Sequence, residues 1–369
     1  MLHSSFLLSE NVQLAIDDRV LILNSAADPF VPGVGLRIIT GELILAEDNV
    51  ASLQIAQSAF EREHIRTALR VRHVPFHEYT LHEVPATIDV AVMNMLYQPG
   101  NAWIIYGLQV AAYALKPGER LYVVGAKDRG VVSMAKRMQS LFGNVETLAI
   151  SKGQRVVCSR KVDSEIWHPQ TWHPLTWPAQ TWRPQVAPLH FNTAPLVGDG
   201  SAGVFAEGKL DEGTRLLLEA LEVRATDVAL DIGCGAGFLG IHIARLASKG
   251  HVTMVDASLA TVDAARQTVE QSGLTNVQVL PSDGTQAVQE QRFDLVVTNP
   301  PFHLGGIQTT EIAERFIREA AQVLRPRGRF YLVANRFLKY EPTLRICFKT
   351  VEEVGGNTRY KVFRALHPH

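Results

Sequence analysis

The stretch that decides the fold is VALDIGCGAGFLGIHIA, residues 228–244. An apolar run is followed by a turn carrying Gly233, Gly235 and Gly237, and then by a helix-patterned segment. Glycines there leave no Cβ between the backbone and a ligand, and the first turn of the helix offers free amide donors. Downstream the alternation continues through HVTMV, a helix at 258–272, VQVL, FDLVVT, a helix at 309–324 and RFYLVA. Strands alternating with helices predict a doubly wound α/β domain, its parallel sheet covered on both faces and its ligands beyond the carboxyl ends of the strands.

A glycine turn alone is shared by many nucleotide-binding enzymes, and three carboxylates sharpen it. Asp231 ends the strand before the turn and is suited to accept from a cationic amino group. Asp256 ends the next strand, about twenty residues past the turn, where a carboxylate pairs with ribose hydroxyls. Asp283, in LPSDG after the third strand, can accept from an adenine amine. Each has a plainer reading as a helix cap. Together an amino acid, a ribose and an adenine make S-adenosylmethionine, with Cys234, Ala257, Gly284 and Asn299 as further candidate cofactor contacts. Cys234 is not read as a nucleophile, because no partner histidine is identifiable.

The quartet Asn299-Pro300-Pro301-Phe302 stops an apolar strand at the same sheet edge. Pro301 confines Pro300 to extended geometry, and Pro300 has a fixed φ and no N–H, so its carbonyl is held rigidly at the strand end. With the Asn299 side-chain oxygen it forms two neutral acceptors for both hydrogens of an exocyclic NH₂ group. Phe302 can stack on the ring that bears the amine. These three are the candidate catalytic residues, with orientation supplying most of the rate. His303 is a candidate for relaying a proton or contacting RNA.

The chain also repeats itself. DVAVMNMLYQ (89–98) matches DLVVTNPPFH (294–303), and AAYALKPGERLYVV (111–124) matches AAQVLRPRGRFYLV (320–333). GELILAED (41–48) falls on GHVTMVDA (250–257), and LNSAADPF (23–30) on DIGCGAGF (231–238). Four segments in nearly one register predict a duplicated domain. In the first copy Ser25, Ala27 and Pro29 stand opposite the three glycines, and Met95 and Leu96 opposite the prolines. That copy is predicted to have a closed pocket and no activity, although Glu47 keeps the acidic position.

Composition agrees with two globular domains in 369 residues that are 46% hydrophobic. The expected division is 1–160, a linker at 161–195 and 196–369. In the linker Trp167, Trp172, Trp177 and Trp182 recur every five residues beside prolines, which favours an extended path. The indoles either pack on a domain surface or stack on unpaired bases. No signal segment or membrane span is read, so a cytoplasmic protein is expected, with a monomer favoured. Three scattered cysteines predict neither disulfides nor a metal cluster. The net charge is −1, yet residues 301–369 hold 12 Lys/Arg against 6 Asp/Glu. This basic tail is either a solvated helix face or a phosphate-contacting surface.

GVFAEGKLDEGTRLLLEAL (203–221), with LDIGCGAG, VDAS, TNPPFH and ANRFLKY (334–340), resembles the bacterial ribosomal RNA guanine-N2 methyltransferases of the small-subunit methyltransferase C type and their large-subunit relative. The resemblance spans nearly the whole chain apart from the tryptophan linker. It implies two tandem Rossmann-like class I methyltransferase domains, the first degenerate, an S-adenosylmethionine cofactor and ribosomal RNA as partner. It also implies that Asn299, Pro300 and Phe302 hold the guanine, with Phe205 and Asn335 nearby. The residues alone leave open methylation of an adenine amine or a glutamine amide, of large-subunit or transfer RNA, or a non-catalytic RNA-binding role.

Overall fold

The computed structural model describes residues 2–63, 70–162, 211–301, 303–304, 307–308 and 310–369. The chain divides into two compact units, Met1–Ala179 and Gln180–His369. Most of the expected linker, with all four of its tryptophans, lies outside the described residues.

The first unit runs α1 (His3–Asn11), β1 (Arg19–Leu23), α2 (Phe30–Arg37), β2 (Glu42–Glu47), α3 (Val50–Arg62), β3 (Arg70–Pro75), α4 (Tyr79–His82), β4 (Ile88–Asn94), α5 (Asn101–Ala114), β5 (Leu115–Ala126), α6 (Val131–Phe142), β6 (Glu146–Ser151) and β7 (Gln154–Arg160). The second runs α7 (Glu212–Ala220), β8 (Val228–Ile232), α8 (Phe238–Leu246), β9 (His251–Asp256), α9 (Leu259–Ser272), β10 (Val277–Pro281) and β11 (Phe293–Thr298). It continues with the short β12 (His303–Leu304) and β13 (Ile307–Gln308), then α10 (Glu311–Val323), β14 (Leu324–Asn335), α11 (Glu341–Cys347), β15 (Phe348–Gly356) and β16 (Tyr360–Pro368).

The two sheets have one topology. Their orders are β3-β2-β1-β4-β5-β7-β6 and β10-β9-β8-β11-β14-β16-β15. Five strands of each are parallel, and the last two join antiparallel. Central strands are covered on both faces, so they read as continuous apolar runs: β11 buries Phe293, Leu295, Val296, Val297 and Thr298. Helix α10 instead buries one stripe, Ala313, Phe316, Ile317, Ala320 and Val323, at helical spacing. Both halves carry a register shift at matching places, between Ile88 and Val90 and between Phe293 and Leu295. A shared bulge is what duplication leaves behind.

The pairings correct one part of the repeat. Leu23 pairs with Ala46, and Ile232 with Val255. Asn24 N–H donates to Ala46 O (2.7 Å) as Gly233 N–H donates to Val255 O (2.9 Å). The residues opposite Gly233, Gly235 and Gly237 are therefore Asn24, Ala26 and Asp28, one place before the expected Ser25, Ala27 and Pro29. Asn24 takes a left-handed φ of 45° where Gly233 has 70°. Asparagine tolerates that region better than most side chains, so the turn survives loss of its glycine.

Candidate active site

The site begins at the turn between β8 and α8. Gly233, Gly235 and Gly237 all have positive φ, at 70°, 56° and 89°. The N–H groups of Gly233 and Cys234 both donate to Val255 O (2.9 and 3.0 Å), which seats the turn on the end of β9. A Cβ on Gly237 would stand 3.1 Å from Met254 Cε, and one on Gly240 2.1 Å from Met254 Sδ. The later glycines thus also let α8 lie close on the sheet.

Asp231 is fully buried in β8, one residue before the strand ends at Ile232. Its Oδ2 accepts from Gly240 N–H at 3.0 Å, while Oδ1 has no partner among the described residues. Burial, reinforced by the charge of Asp256, pushes its carboxyl up to about 7, against the hydrogen bond from Gly240. Half-buried Asp256 accepts from Gly235 N–H through Oδ2 (3.1 Å) and from Ser258 N–H through Oδ1 (3.0 Å). It is not the cap of α9. Ser258 is, its Oγ accepting from Thr261 N–H. Ala257 follows, half-buried.

Asp283 has a partner that the sequence did not show. Both its oxygens are held by Arg315 of α10, at 2.5 and 2.8 Å. An amine could share only their remaining lone pairs. Gly284 has a φ of 56°, and a Cβ on it would meet Glu319 Oε2 at 2.0 Å. Glu319 Oε2 accepts from Thr285 N–H at 2.9 Å, so a packing constraint accounts for this glycine. Cys234 is buried, and desolvation, then the charges of Asp256 and Asp231, raises its thiol well above the ordinary range. It is a protonated wall residue.

Thr298 Oγ donates to Ile232 O at 2.8 Å, fastening the end of β11 to the end of β8. Asn299 follows immediately, half-buried. Its Nδ2 donates to Asp211 Oδ2 and to Thr214 Oγ, both at 2.9 Å. Because a carboxylate only accepts, these partners fix which end of the amide is nitrogen, and Oδ1 is an acceptor with no partner among the described residues. Asp211 is also the N-cap of α7, its Oδ2 accepting from Thr214 N–H at 3.1 Å. Sequence reasoning gave Asp211 and Thr214 no role. Their one signal was the D-x-x-T spacing in KLDEGT, a capping pattern that by itself says nothing of an asparagine more than eighty residues away.

Pro300 is buried and Pro301 exposed. Asn335 ends β14, half-buried and paired with Tyr360. Phe302 and Phe205 lie outside the described residues. His303 has a place in β12, but its side chain lies outside them too. The structure brings together the glycine turn, Asp231, Asp256 and Asn299, all at the carboxyl ends of β8, β9 and β11.

Residues 199–364 match the family described as Methyltransferase small domain. A Ribosomal RNA small subunit methyltransferase C from Hahella chejuensis is 35% identical over 259 residues, covering 70% of this chain and 72% of the relative. The chain belongs to the ribosomal RNA small subunit methyltransferase C family. A member from Shewanella pealeana is 29% identical over 364 residues, 98% of each chain. A solved structure described as a T. thermophilus 16S rRNA N2 methyltransferase in complex with AdoMet and guanosine is 30% identical, with a TM-score of 0.75 over 99% of this chain and 91% of its own. Two tandem class I methyltransferase domains are therefore the fold of this chain.

The first half differs at the matching positions, by substitution and by filling. The partner of Val92 in β1 is Ile22, where the partner of Val297 in β8 is Asp231, so the buried acceptor is gone. Glu47 takes the place of Asp256 but is 2% exposed, and its oxygens accept from the N–H groups of Ala26, Asp48 and Asn49. Burial, with the charge of Asp48, pushes its carboxyl up to about 7, against those bonds. Buried Gln98, opposite His303 in the repeat, donates to Leu23 O, Asn24 O, Ser25 Oγ and Asn94 O and accepts from Asn24 Nδ2. The Asn94 amide is consumed as well: Nδ2 goes to Asp28 and Ser4, and Oδ1 accepts from Leu96 N–H.

S-adenosylmethionine is the family's methyl donor, and the second half fits it on one structural point. A buried carboxylate oxygen without a partner is costly unless a donor arrives, and an ammonium group at the mouth of the glycine turn supplies one. No such orphan exists at the matching position of the first half, which is Ile22.

Proposed function

We propose that this chain methylates the exocyclic N2 amine of a guanine in small-subunit ribosomal RNA, using S-adenosylmethionine bound in the second half alone. When bound, the cofactor supplies a methyl group on positively charged sulfur. In this reading Asp231 Oδ1 receives the ammonium end of the cofactor, Asp256 faces its ribose, and the wall at Cys234, Gly235 and Ala257 lines its path. Asp283 with Arg315 borders the adenine end.

The observation that carries the reading is the fixed amide of Asn299. Its oxygen and the Pro300 carbonyl take the two hydrogens of the guanine amine, which turns the nitrogen lone pair out of conjugation and toward the methyl group. Phe302 stacks on the ring. A bond from N2 to carbon forms as the sulfur–carbon bond breaks, and the strongly acidic product amine gives its extra proton to solvent or to His303. No strong base is required, so positioning and neutral acceptors dominate the rate. Residues 196–369 form the catalytic unit, 1–160 a unit without cofactor, and Phe205 and Asn335 border the substrate. Work on ribosomal RNA fits a cytoplasmic protein, and among the described residues no helix is long and apolar enough to cross a membrane.

Incubation with small-subunit ribosomal RNA and methyl-labelled cofactor, followed by nucleoside analysis, tests the reading. Label in N2-methylguanosine is the expected result. Label in N6-methyladenosine, or transfer only to a protein glutamine, would replace it.

A further inference from the structure

Most cations of the basic tail are occupied by carboxylates of the second unit. Arg315, Arg318, Arg325, Arg329, Arg336, Arg359, Lys361 and Arg364 each pair with an Asp or Glu. Arg327, Lys339, Arg345 and Lys349 are exposed and show no ion pair among the described residues, and the duplication points to a further such cation in the first half.

Sheet register equates the two halves at their last strands. Ala126 pairs with Gln154 as Asn335 pairs with Tyr360, and Lys127 N–H donates to Gly153 O as Arg336 N–H donates to Arg359 O. Lys127 thus corresponds to Arg336. In the second half Arg336 is neutralised by Glu353 at 2.7 Å. Glu353 pairs with Phe363 at the bulge, and the residue at the same bulge in the first half, paired with Val157, is Thr147. The cation is kept and its counter-ion lost.

Lys127 lies at the rim of a cavity of about 640 Å³ at the carboxyl ends of β4 and β5, where the second half holds Asn299 and Asn335. Met95 and Leu96 line it with Lys127, Arg129 and Lys152, and Asp128 is the one acid. Lys127 and Lys152 are exposed and make no ion pair among the described residues. Lys152 also adopts a left-handed φ of 47° in a tight hairpin turn, a position that favours Asn or Gly. A lysine held there against its own preference marks a place where charge matters more than turn geometry.

We propose that this cavity seats a second nucleotide of the RNA substrate, its base on Met95 and Leu96 and its phosphates on Lys127 and Lys152. The degenerate half has then exchanged a methyl-acceptor pocket for a strand-holding one. The volume suits a nucleotide, and the inference rests on RNA being the substrate.

The test is RNA affinity of the full chain across a salt series for wild type, Lys127→Gln/Lys152→Asn and, as control, Lys249→Gln at the far end of the second sheet. Asn suits the left-handed position, so the double variant keeps the turn. Loss of two phosphate contacts predicts about tenfold weaker binding near physiological salt, and a salt slope shallower by about 1.4. Cofactor affinity by calorimetry should be unchanged in both variants. Equal RNA affinity in the double variant and wild type overturns the inference, as does an equal loss in Lys249→Gln. Failure of the functional reading is separate: it would show as wild type that transfers no methyl group to guanine.

Discussion

The side-chain nitrogen of Asn299 lies 2.9 Å from Asp211 Oδ2, and the same carboxylate oxygen caps helix α7. One carboxylate therefore ties the start of a helix to the orientation of the amide that we propose receives the substrate. A negative charge behind that amide also strengthens its oxygen as an acceptor and opposes the positive charge that develops on the amine.

Replacing Asp211 should separate these duties. Asp211→Asn preserves an oxygen for the cap, and should lower turnover more than it raises KM. Asp211→Ala should reduce turnover by roughly 10–100-fold, since a free amide can flip and present nitrogen to the amine. The lost cap costs about 1 kcal/mol of stability. Steady-state kinetics beside denaturant melts decide: a purely structural role would move the melt and leave turnover intact. Thr214→Val should act in the same direction, with rescue by Thr214→Ser.

Cofactor binding should depend on pH through Asp231. Its carboxyl is raised by burial to about 7 from an ordinary value of 3.8, so in the empty site the protonated form is favoured below about 7. Only the ionised form attracts an ammonium group. Affinity should therefore fall as pH drops below about 7, approaching tenfold per pH unit, with proton release on binding. Asp231→Asn should lose both the affinity and this dependence. The sign for stability is opposite. Ionising a buried carboxyl costs the empty fold, so the native state loses stability as pH rises from about 4 to about 7, and Asp231→Asn removes that loss. Calorimetry and melts at several pH values check both.

Buried Gln98 gathers the backbone at the carboxyl ends of β1 and β4, and in the proposed reading it keeps the cofactor out of the first half. Gln98→Ala would take away the bonds to Asn24 O and from Asn24 Nδ2, while Ser25 Oγ still reaches Leu23 O and Asn94 O, at a cost of about 1–3 kcal/mol. Denaturant unfolding should show that loss, while methyl transfer at a permissive temperature stays near wild type. Cofactor titration should still give one site per chain. A second bound cofactor would contradict the closure described for this half.

Much of the architecture was legible because it is written in local patterns. Apolar runs such as FDLVVT and the stripe along α10 are periodic, the glycine turn is short-range, and duplication doubled the signal. What was not legible depends on side chains far apart in sequence. Arg315 reaching Asp283, and Asp211 and Thr214 reaching Asn299, leave no periodic mark. The pairing of eight of the twelve cations in the basic tail was not legible either, because a sequence shows charges without their partners. The slip of one residue at the first-half turn has a different origin: Asn24 performs a glycine's conformational task with an unrelated letter, so matching letters aligned Ser25 instead, and only the bond to Ala46 O restored the register.

Single-turnover methyl transfer to small-subunit ribosomal RNA by Asn299→Ala, at saturating cofactor, bears most directly on the central claim that a fixed amide oxygen receives the guanine amine. A loss of about 10²–10³-fold in rate, comparable to removing one preorganised hydrogen-bonding group from an active site, is the predicted result. A rate within a few-fold of wild type would contradict it.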